Sequence, residues 1–319
     1  MKERSERASG MIGAYRCGCP PRPRSARRVE SHLVAGITDD PTTTRRPSGM
    51  LRPMLDPILS NAMLACAVVA ASCWLLSVVT REYSWVDRVW SITPVGYVAY
   101  FAWASGWTPR LVLLAALVLC WGARLTFNYA RKGGYAPGGE DYRWAALRQG
   151  MSPKAFQVFN IAFIAGFQNA LLLALSVPAW AAAKHPTPLG WVDGLLTLVF
   201  LGVLGLETLA DQQQWQFQTN KRAALERGES PAPFLTTGLF RFSRHPNFFA
   251  EQALWWVVAA FALAAGSREW AAIFTGPVVL VALFYGSTGF TEALTLRKYP
   301  SYADYQRTTS KLIPWWPRG

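Results

Sequence analysis

The 319 residues are 51% hydrophobic and 16% charged and include 15 Trp and 17 Phe, a balance too apolar for an ordinary soluble domain. The net charge of +13 is not a nucleic-acid footprint, because 11 of the 32 Lys and Arg lie at or before Arg52 and the rest cluster between apolar stretches. Cys17 and Cys19 with the distant His32 fall short of the ligand set that zinc needs, so no metal site is expected.

Residues 1–53 form a basic, Pro-rich tail with no long apolar run, expected to be disordered. No signal peptide is expected there, because its apolar core is missing. From Ile58 onward the character changes, and "MLDPILSNAMLACAVVAASCW" makes a natural beginning, with Met54 or Met50 the expected initiator. A bilayer-spanning helix needs ~20 mostly apolar residues. Seven stretches meet or approach that length: 57–79, 85–105, 109–127, 156–182, 190–213, 252–267 and 269–290. The expected architecture is all-α, a polytopic membrane domain over 54–319 with about seven spans.

Connections 128–155 and 214–251 and the C-terminal tail carry most of the remaining basic residues, whereas the alternate connections offer Arg110, Lys184 and Arg268. Cytoplasmic loops carry the Lys and Arg excess, so the C-terminus is expected in the cytoplasm. Seven spans then put the basic tail outside, against the same rule. Either the start is at Met50 or Met54, the favoured explanation, or the span count is off by one.

In the first half, "SWVDRVW" places Asp87 and Arg88 at the opening of the second stretch, followed by Tyr97 and Tyr100, and Arg124 ends the third. Asp87 with Arg88 equally suits a simple interfacial pair. Asp87, Tyr97 and Tyr100 are the candidate catalytic donors, as polar groups within a span.

In the second half, "GLETLADQQQWQFQTNKR" puts Glu207, Asp211, Gln214 and Gln218 at steps of four, three and four, hence on one helix face. Lys221 and Arg222 close that segment. Carboxylates at membrane depth are costly and mark function, although a helix emerging into water also turns polar.

"FRFSRHPNFFAEQ" follows at 240–252. Pro246 suits a first helical turn, where its missing N–H costs nothing and the next amides face outward as an anion site. Arg241 and Arg244 precede it, His245 and Asn247 add hydrogen-bonding edges, and Glu251 shares a face with Asn247. The competing reading makes the arginines headgroup anchors and His245 a helix cap. Near the C-terminus, Glu292 shares a face with Thr288, and Tyr299, Tyr302 and Tyr305 lie among Arg297, Lys298, Arg307 and Lys311. That mixture suits an adenine with its phosphates and equally an interfacial aromatic belt. No P-loop, G-x-S-x-G elbow or strand-borne G-x-G-x-x-G occurs.

"LTTGLFRFSRHPNFFAEQALWW" and "RKYPSYADYQRTTSKLIPWWP" resemble the C-terminal domain of the steroid 5-alpha-reductase family, most closely its bacterial branch, domain of unknown function 1295. "ETLADQQQWQF" and "WVDRVW" also resemble that branch. The resemblance covers about 57–317, with its specific motifs in 205–317. It implies seven spans, of which 57–182 face substrate while 190–319 hold NADPH at the cytoplasmic side, and reduction of an enone C=C bond in a steroid-like or other lipid substrate. Asp211, Asn247 and Glu251 then fall among the cofactor contacts, Glu207 and Glu292 line the site, and Arg244 and His245 belong to an S-R-H-P-N form shared with sterol reductases. The family's substrate-binding glutamate and tyrosine have no match in the first half. "R-H-P" with a nearby glutamate also resembles membrane methyltransferases that use S-adenosylmethionine, and an inactive lipid-binding scaffold is a third reading. The expected setting is a bacterial cytoplasmic membrane, or the endoplasmic reticulum in a eukaryote. The expected partners are a lipid-like substrate and membrane lipids, with no nucleic acid, around a monomer.

Overall fold

A computed structural model describes residues 56–318. The expectations for the basic tail, for Cys17, Cys19 and His32, and for a start at Met50 or Met54 lie outside the described residues. Those residues contain eleven α-helices, a π-helical stretch and a 3-10 turn, and no strands.

Helix α1, Pro57–Thr80, begins on the Asp56 carboxylate, which accepts from Ile58 N at 2.9 Å, and ends where Arg81 takes a left-handed conformation. The second apolar stretch is not one rod. It forms α2, Trp85–Val89, a turn at Trp90–Ile92 and α3, Thr93–Ala104, with Pro94 in its first turn. Twelve residues of α3 reach only about 18 Å, short of a ~30 Å hydrocarbon core. Six other helical segments are long and apolar enough to cross a membrane: 57–80, 109–131, 153–183, 191–226, 246–264 and 270–298. The difference from the sequence expectation lies in this broken second crossing. It still connects the two ends of the bundle, since the Ser91 and Thr126 hydroxyls pair at 2.6 Å near the end of α4, whereas Asn61 near the start of α1 donates to Tyr100 OH at 3.2 Å.

Helix α4 is Pro109–Arg131, α5 is Tyr142–Gln149 and α6 is Pro153–Phe159. Residues Asn160–Phe167 continue α6 as a π-helix into α7, Gln168–Ala183. Helix α8, Trp191–Glu226, is the longest, and α9, Pro246–Ala264, α10, Trp270–Lys298, and α11, Tyr302–Thr308, complete the chain.

Buried Leu114, Leu171, Leu175, Trp121, Trp255 and Phe261 belong to one core in which α7 packs against α3, α9 and α10. Close backbone approach makes part of that contact, as expected where small residues let membrane helices meet. Pro178 cannot donate to the Ala174 carbonyl four residues back. Gly276 of α10 sits against that carbonyl, where an added Cβ would lie 2.5 Å from it. Leu64, Val68, Val79 and Leu198 project outward on α1 and α8, as lipid-facing side chains do.

Polar contacts pin each end of the bundle. At one end Arg110 and Asp193 form a buried bidentate pair at 2.7 and 2.9 Å, and Trp180 donates to Asp56 at 3.2 Å. At the other, Trp144 donates to Asp87 at 2.9 Å, Arg143 donates to Ser287 at 2.9 Å, and the longer basic connections gather.

Candidate functional site

At this basic end α4, α8 and α9 converge. Trp121, Arg124, Asn128 and Arg131 recur at steps of three, four and three, so α4 presents them on one face. That face meets Glu207 and Asp211 of α8. The Arg124 guanidinium touches Glu207, lies 2.5 Å from Asp211 Oδ2 and 4.0 Å from Glu251 Oε2 of α9. The Arg124 side chain is 12% exposed and those of the three carboxylates are 4–6% exposed. Three acids thus share one buried guanidinium, with Lys132 Nζ 3.7 Å from Asp211 at the rim.

Neutral donors hold the carboxylates in place. Asn128 donates to Asp211 Oδ2 at 2.8 Å and Asn247 to Oδ1 at 3.4 Å. Glu251 accepts from the indoles of Trp121 at 2.8 Å and Trp255 at 3.1 Å, whose rings meet edge to face with centroids 4.9 Å apart. Arg124 Nε and Glu207 Oε2 are buried without a hydrogen-bond partner, so the cluster keeps unused polar capacity at its centre.

A second cluster joins α9 to the C-terminus. Arg244 holds Glu292 bidentately at 2.7 and 3.0 Å and donates to the carbonyls of Gln306, at 3.1 Å, and Thr309. Glu292 also pairs with His245 Nε2 at 2.9 Å, accepts from Gln306 Nε2 at 3.0 Å and receives Tyr302 OH at 3.5 Å. The backbone closes the same joint, with Arg244 N on Ser310 O at 2.8 Å and Trp315 N on Phe242 O at 2.9 Å. Burial raises the Tyr302 and Tyr305 phenols, which keeps them protonated donors here.

The connection ahead of α9 is shaped by Gly238, at φ +63° in the 3-10 turn Gly238–Arg241. Gln213 fills the space a Cβ would need, 2.5 Å from its Oε1, and accepts from Leu239 N at 2.9 Å. Two clefts open on the C-terminal segment. One of about 470 Å³ is lined by Arg244, Arg307, Lys311, Trp315 and Arg318. The other, about 410 Å³, is lined by Phe234, Arg241, Asp304 and Tyr305.

The structure therefore brings Glu207, Asp211, Asn247 and Glu251 into one cluster and Arg244, His245, Glu292 and Tyr302 into another. Arg244 and Glu292 spend most of their bonding capacity on each other and on the C-terminal backbone. Lys221 donates to Pro233 O at 2.5 Å and to Tyr299 OH at 3.3 Å, over whose ring it also sits. Arg222 and Arg241 are exposed and Gln218 is half-buried. Asp87, Tyr97 and Tyr100 do not form one hydrogen-bonded group: Asp87 is held by Trp144, Tyr100 by Asn61, and Tyr97 has no partner. Sequence reasoning missed the central role of Arg124 with Trp121, Asn128 and Arg131. Their helical spacing was legible, but the acids they face lie more than eighty residues away.

Helix content, apolar spans and a buried ionic cluster at one end define an all-helical polytopic membrane protein. The family model described as protein of unknown function (DUF1295) matches residues 73–309, and the chain belongs to that family. It is 38% identical over 259 residues to the Schizosaccharomyces pombe protein described as Uncharacterized protein C594.04c, an alignment covering 76% of this chain and 75% of the relative. A fungal relative makes "bacterial branch" too narrow a description of the resemblance. No solved structure matches the chain.

Proposed function

We propose that the protein is a membrane-embedded, NADPH-dependent reductase of an enone C=C bond in a steroid-like or other lipid substrate. The observation that carries this reading is a buried acid and amide cluster at the same end of the bundle as two clefts lined with cations. Carboxylates and amides suit the hydroxyl and carboxamide donors of a nicotinamide riboside, as an acidic side chain does for a ribose diol elsewhere. Arg241, Arg307, Lys311 and Arg318 in the two clefts suit phosphates. The unsatisfied Arg124 Nε and Glu207 Oε2 mark where the residues present fit such a group.

Bound NADPH supplies the hydride. Within the chain, Asp211 is aimed by Asn128 and Arg124 and retains Asn247 as a neighbouring amide, so the two present an acceptor and a donor side by side. Trp121 and Trp255 fix Glu251 and wall the cluster from lipid, which strengthens each polar contact inside. Arg244, His245 and Glu292 tie the C-terminal segment to the start of α9 and so hold the cation-lined clefts in place. Tyr97 is the donor suited to a developing oxyanion, since its hydroxyl is buried and uncommitted. The basic end is the cytoplasmic one by the distribution of Lys and Arg.

A methyltransferase reading draws on the cluster's excess negative charge, which suits a sulfonium; the cation-lined clefts favour the phosphate-bearing cofactor. Titration of detergent-solubilised protein with NADPH and with S-adenosylmethionine, followed by tryptophan fluorescence, separates the two. Saturable NADPH binding is expected, and Asp211→Asn and Asn247→Ala are each expected to weaken it about 10- to 100-fold, the scale of one hydrogen bond to a charged group. Binding of S-adenosylmethionine alone would sink the reductase reading. NADPH binding without oxidation across a panel of enones would leave a scaffold.

A further inference from the structure

The cleft of about 470 Å³ adjoins the outer surface of a membrane-crossing helix. On α10, Val278, Val281 and Tyr285 follow at steps of three and four and are all exposed, so they form one outward face. Counted from Trp270 at ~1.5 Å per residue, Tyr285 lies roughly 22 Å along α10, in the last third of a ~30 Å crossing. Lys311 is fastened there: its Nζ donates to the Tyr285 carbonyl at 2.9 Å and stands 3.9 Å from the centre of the Tyr285 ring. The C-terminal segment therefore meets the lipid-facing side of α10 near headgroup depth.

That segment is held by its own backbone. Ser243 Oγ donates to Leu312 O at 2.7 Å, Trp315 N to Phe242 O at 2.9 Å and Arg318 N to Thr308 O at 2.8 Å. Trp315 and Trp316 are thereby presented 68% and 72% exposed, with Ile313 exposed beside them. Large apolar side chains held out among cations suit the membrane interface, where an indole's apolar body meets acyl chains and its N–H meets headgroups.

Charge selects the headgroup. Arg244, Arg307, Lys311 and Arg318 line the cleft, and among the described residues no carboxylate does. Arg244 is committed to Glu292 and Arg307 faces Asp304, which leaves Lys311 and Arg318 for a ligand. After its bond to Tyr285, the Lys311 ammonium keeps two further N–H donors. The second cleft differs: it sets Arg241 against Asp304 and no tryptophan lines it.

We propose that the first cleft binds the phosphate of an anionic phospholipid from the leaflet at the basic end of the bundle. Lys311 and Arg318 hold the phosphate, and the acyl chains lie along Val278, Val281 and Tyr285 of α10. A zwitterionic lipid brings its own ammonium to the same cations and binds less well. The inference goes beyond the reductase reading; it gives the first cleft to lipid and leaves the second, with Arg241, to the cofactor.

The test uses the full chain in a neutral detergent, titrated with phosphatidylglycerol or phosphatidylcholine brominated near the headgroup end of the acyl chains, with tryptophan quenching as the readout. Phosphatidylglycerol is expected to quench at the lower mole fraction, and its advantage to shrink as salt rises. A cation beside an anionic lipid surface is worth about fivefold in affinity, so Lys311→Gln with Arg318→Gln is expected to raise the half-quenching mole fraction of phosphatidylglycerol roughly 25-fold. Lys311→Arg is expected to leave it nearly unchanged. Trp315→Phe with Trp316→Phe is expected to remove the extra quenching that phosphatidylglycerol gives over phosphatidylcholine.

Equal quenching by the two lipids at low salt, or extra quenching that survives loss of both indoles, would overturn the site. Displacement of the lipid by inorganic phosphate or glycerol phosphate would make the cleft a free-phosphate site, and displacement by NADPH would return it to the cofactor; either defeats the lipid assignment. NADPH binding with phosphatidylglycerol quenching intact supports it. A phosphatidylglycerol preference without any NADPH binding also supports it, while defeating the reductase reading. If the charge variants do not fold, the lipid comparison and its salt dependence on the unaltered chain still decide.

Discussion

Removing Arg124 is the sharpest test of how the bundle is held together. Arg124→Met keeps most of the side chain's length and takes away the charge that Glu207 and Asp211 face, with the two carboxylates 4% and 6% exposed. Breaking a buried ion pair from one side costs about 3–5 kcal/mol, because the remaining charge stays buried and uncompensated. For a domain of this size one kcal/mol corresponds to about 2–4 °C in Tm, so a fall of roughly 6–20 °C is expected. Thermal unfolding in detergent at fixed lipid and protein concentration, followed by tryptophan fluorescence, measures it. A second change tests the cause. Glu207→Gln removes one stranded charge, so in the Arg124→Met background it is expected to restore part of the loss, with a coupling of about 0.5–3 kcal/mol. A Tm within about 2 °C of the unaltered protein, or a double variant less stable than Arg124→Met, would refute the reasoning.

The Arg110–Asp193 pair is equally buried but sits at the opposite end, so Arg110→Ala is expected to lower Tm by a similar amount while leaving NADPH affinity unchanged; a change in affinity would mean that the ends are coupled. Gly276→Ala places a methyl group 2.5 Å from the Ala174 carbonyl, backbone that cannot swing aside, and is expected to destabilise by about 1–3 kcal/mol, measured by the same thermal scan. Tyr299 lies beside the Lys221 ammonium, which lowers its phenol pKa below the ordinary value, whereas burial raises Tyr302 and Tyr305. In an alkaline absorbance titration Tyr299 is therefore expected to ionise before the other two. Tyr299→Phe should remove tyrosinate signal at the low-pH side of the curve, and an unchanged curve would contradict the assignment.

Most apolar spans were legible along the chain because a lipid-facing helix must satisfy every backbone group internally and bury no polar side chain in hydrocarbon. The second span was the exception. Its composition reads as continuous, yet Trp90–Ile92 turn and α3 starts afresh at Thr93, a break that composition does not register. The face Glu207, Asp211, Gln214 and Gln218 was readable as periodicity, and Pro246 as a helix start, because both depend on neighbours within one or two turns.

Amino-acid order alone thus determined the class of protein, the helical segments and the acids and amides that one face of α8 and the start of α9 present. The tertiary structure decided what those groups meet. Arg124 lies 83 residues before Glu207 in sequence and touches it in space; Arg244 closes on Glu292 rather than standing open; and the Tyr97 hydroxyl is left buried without a partner. Such pairings depend on which helices pack side by side and at what depth, and no local pattern carries that information.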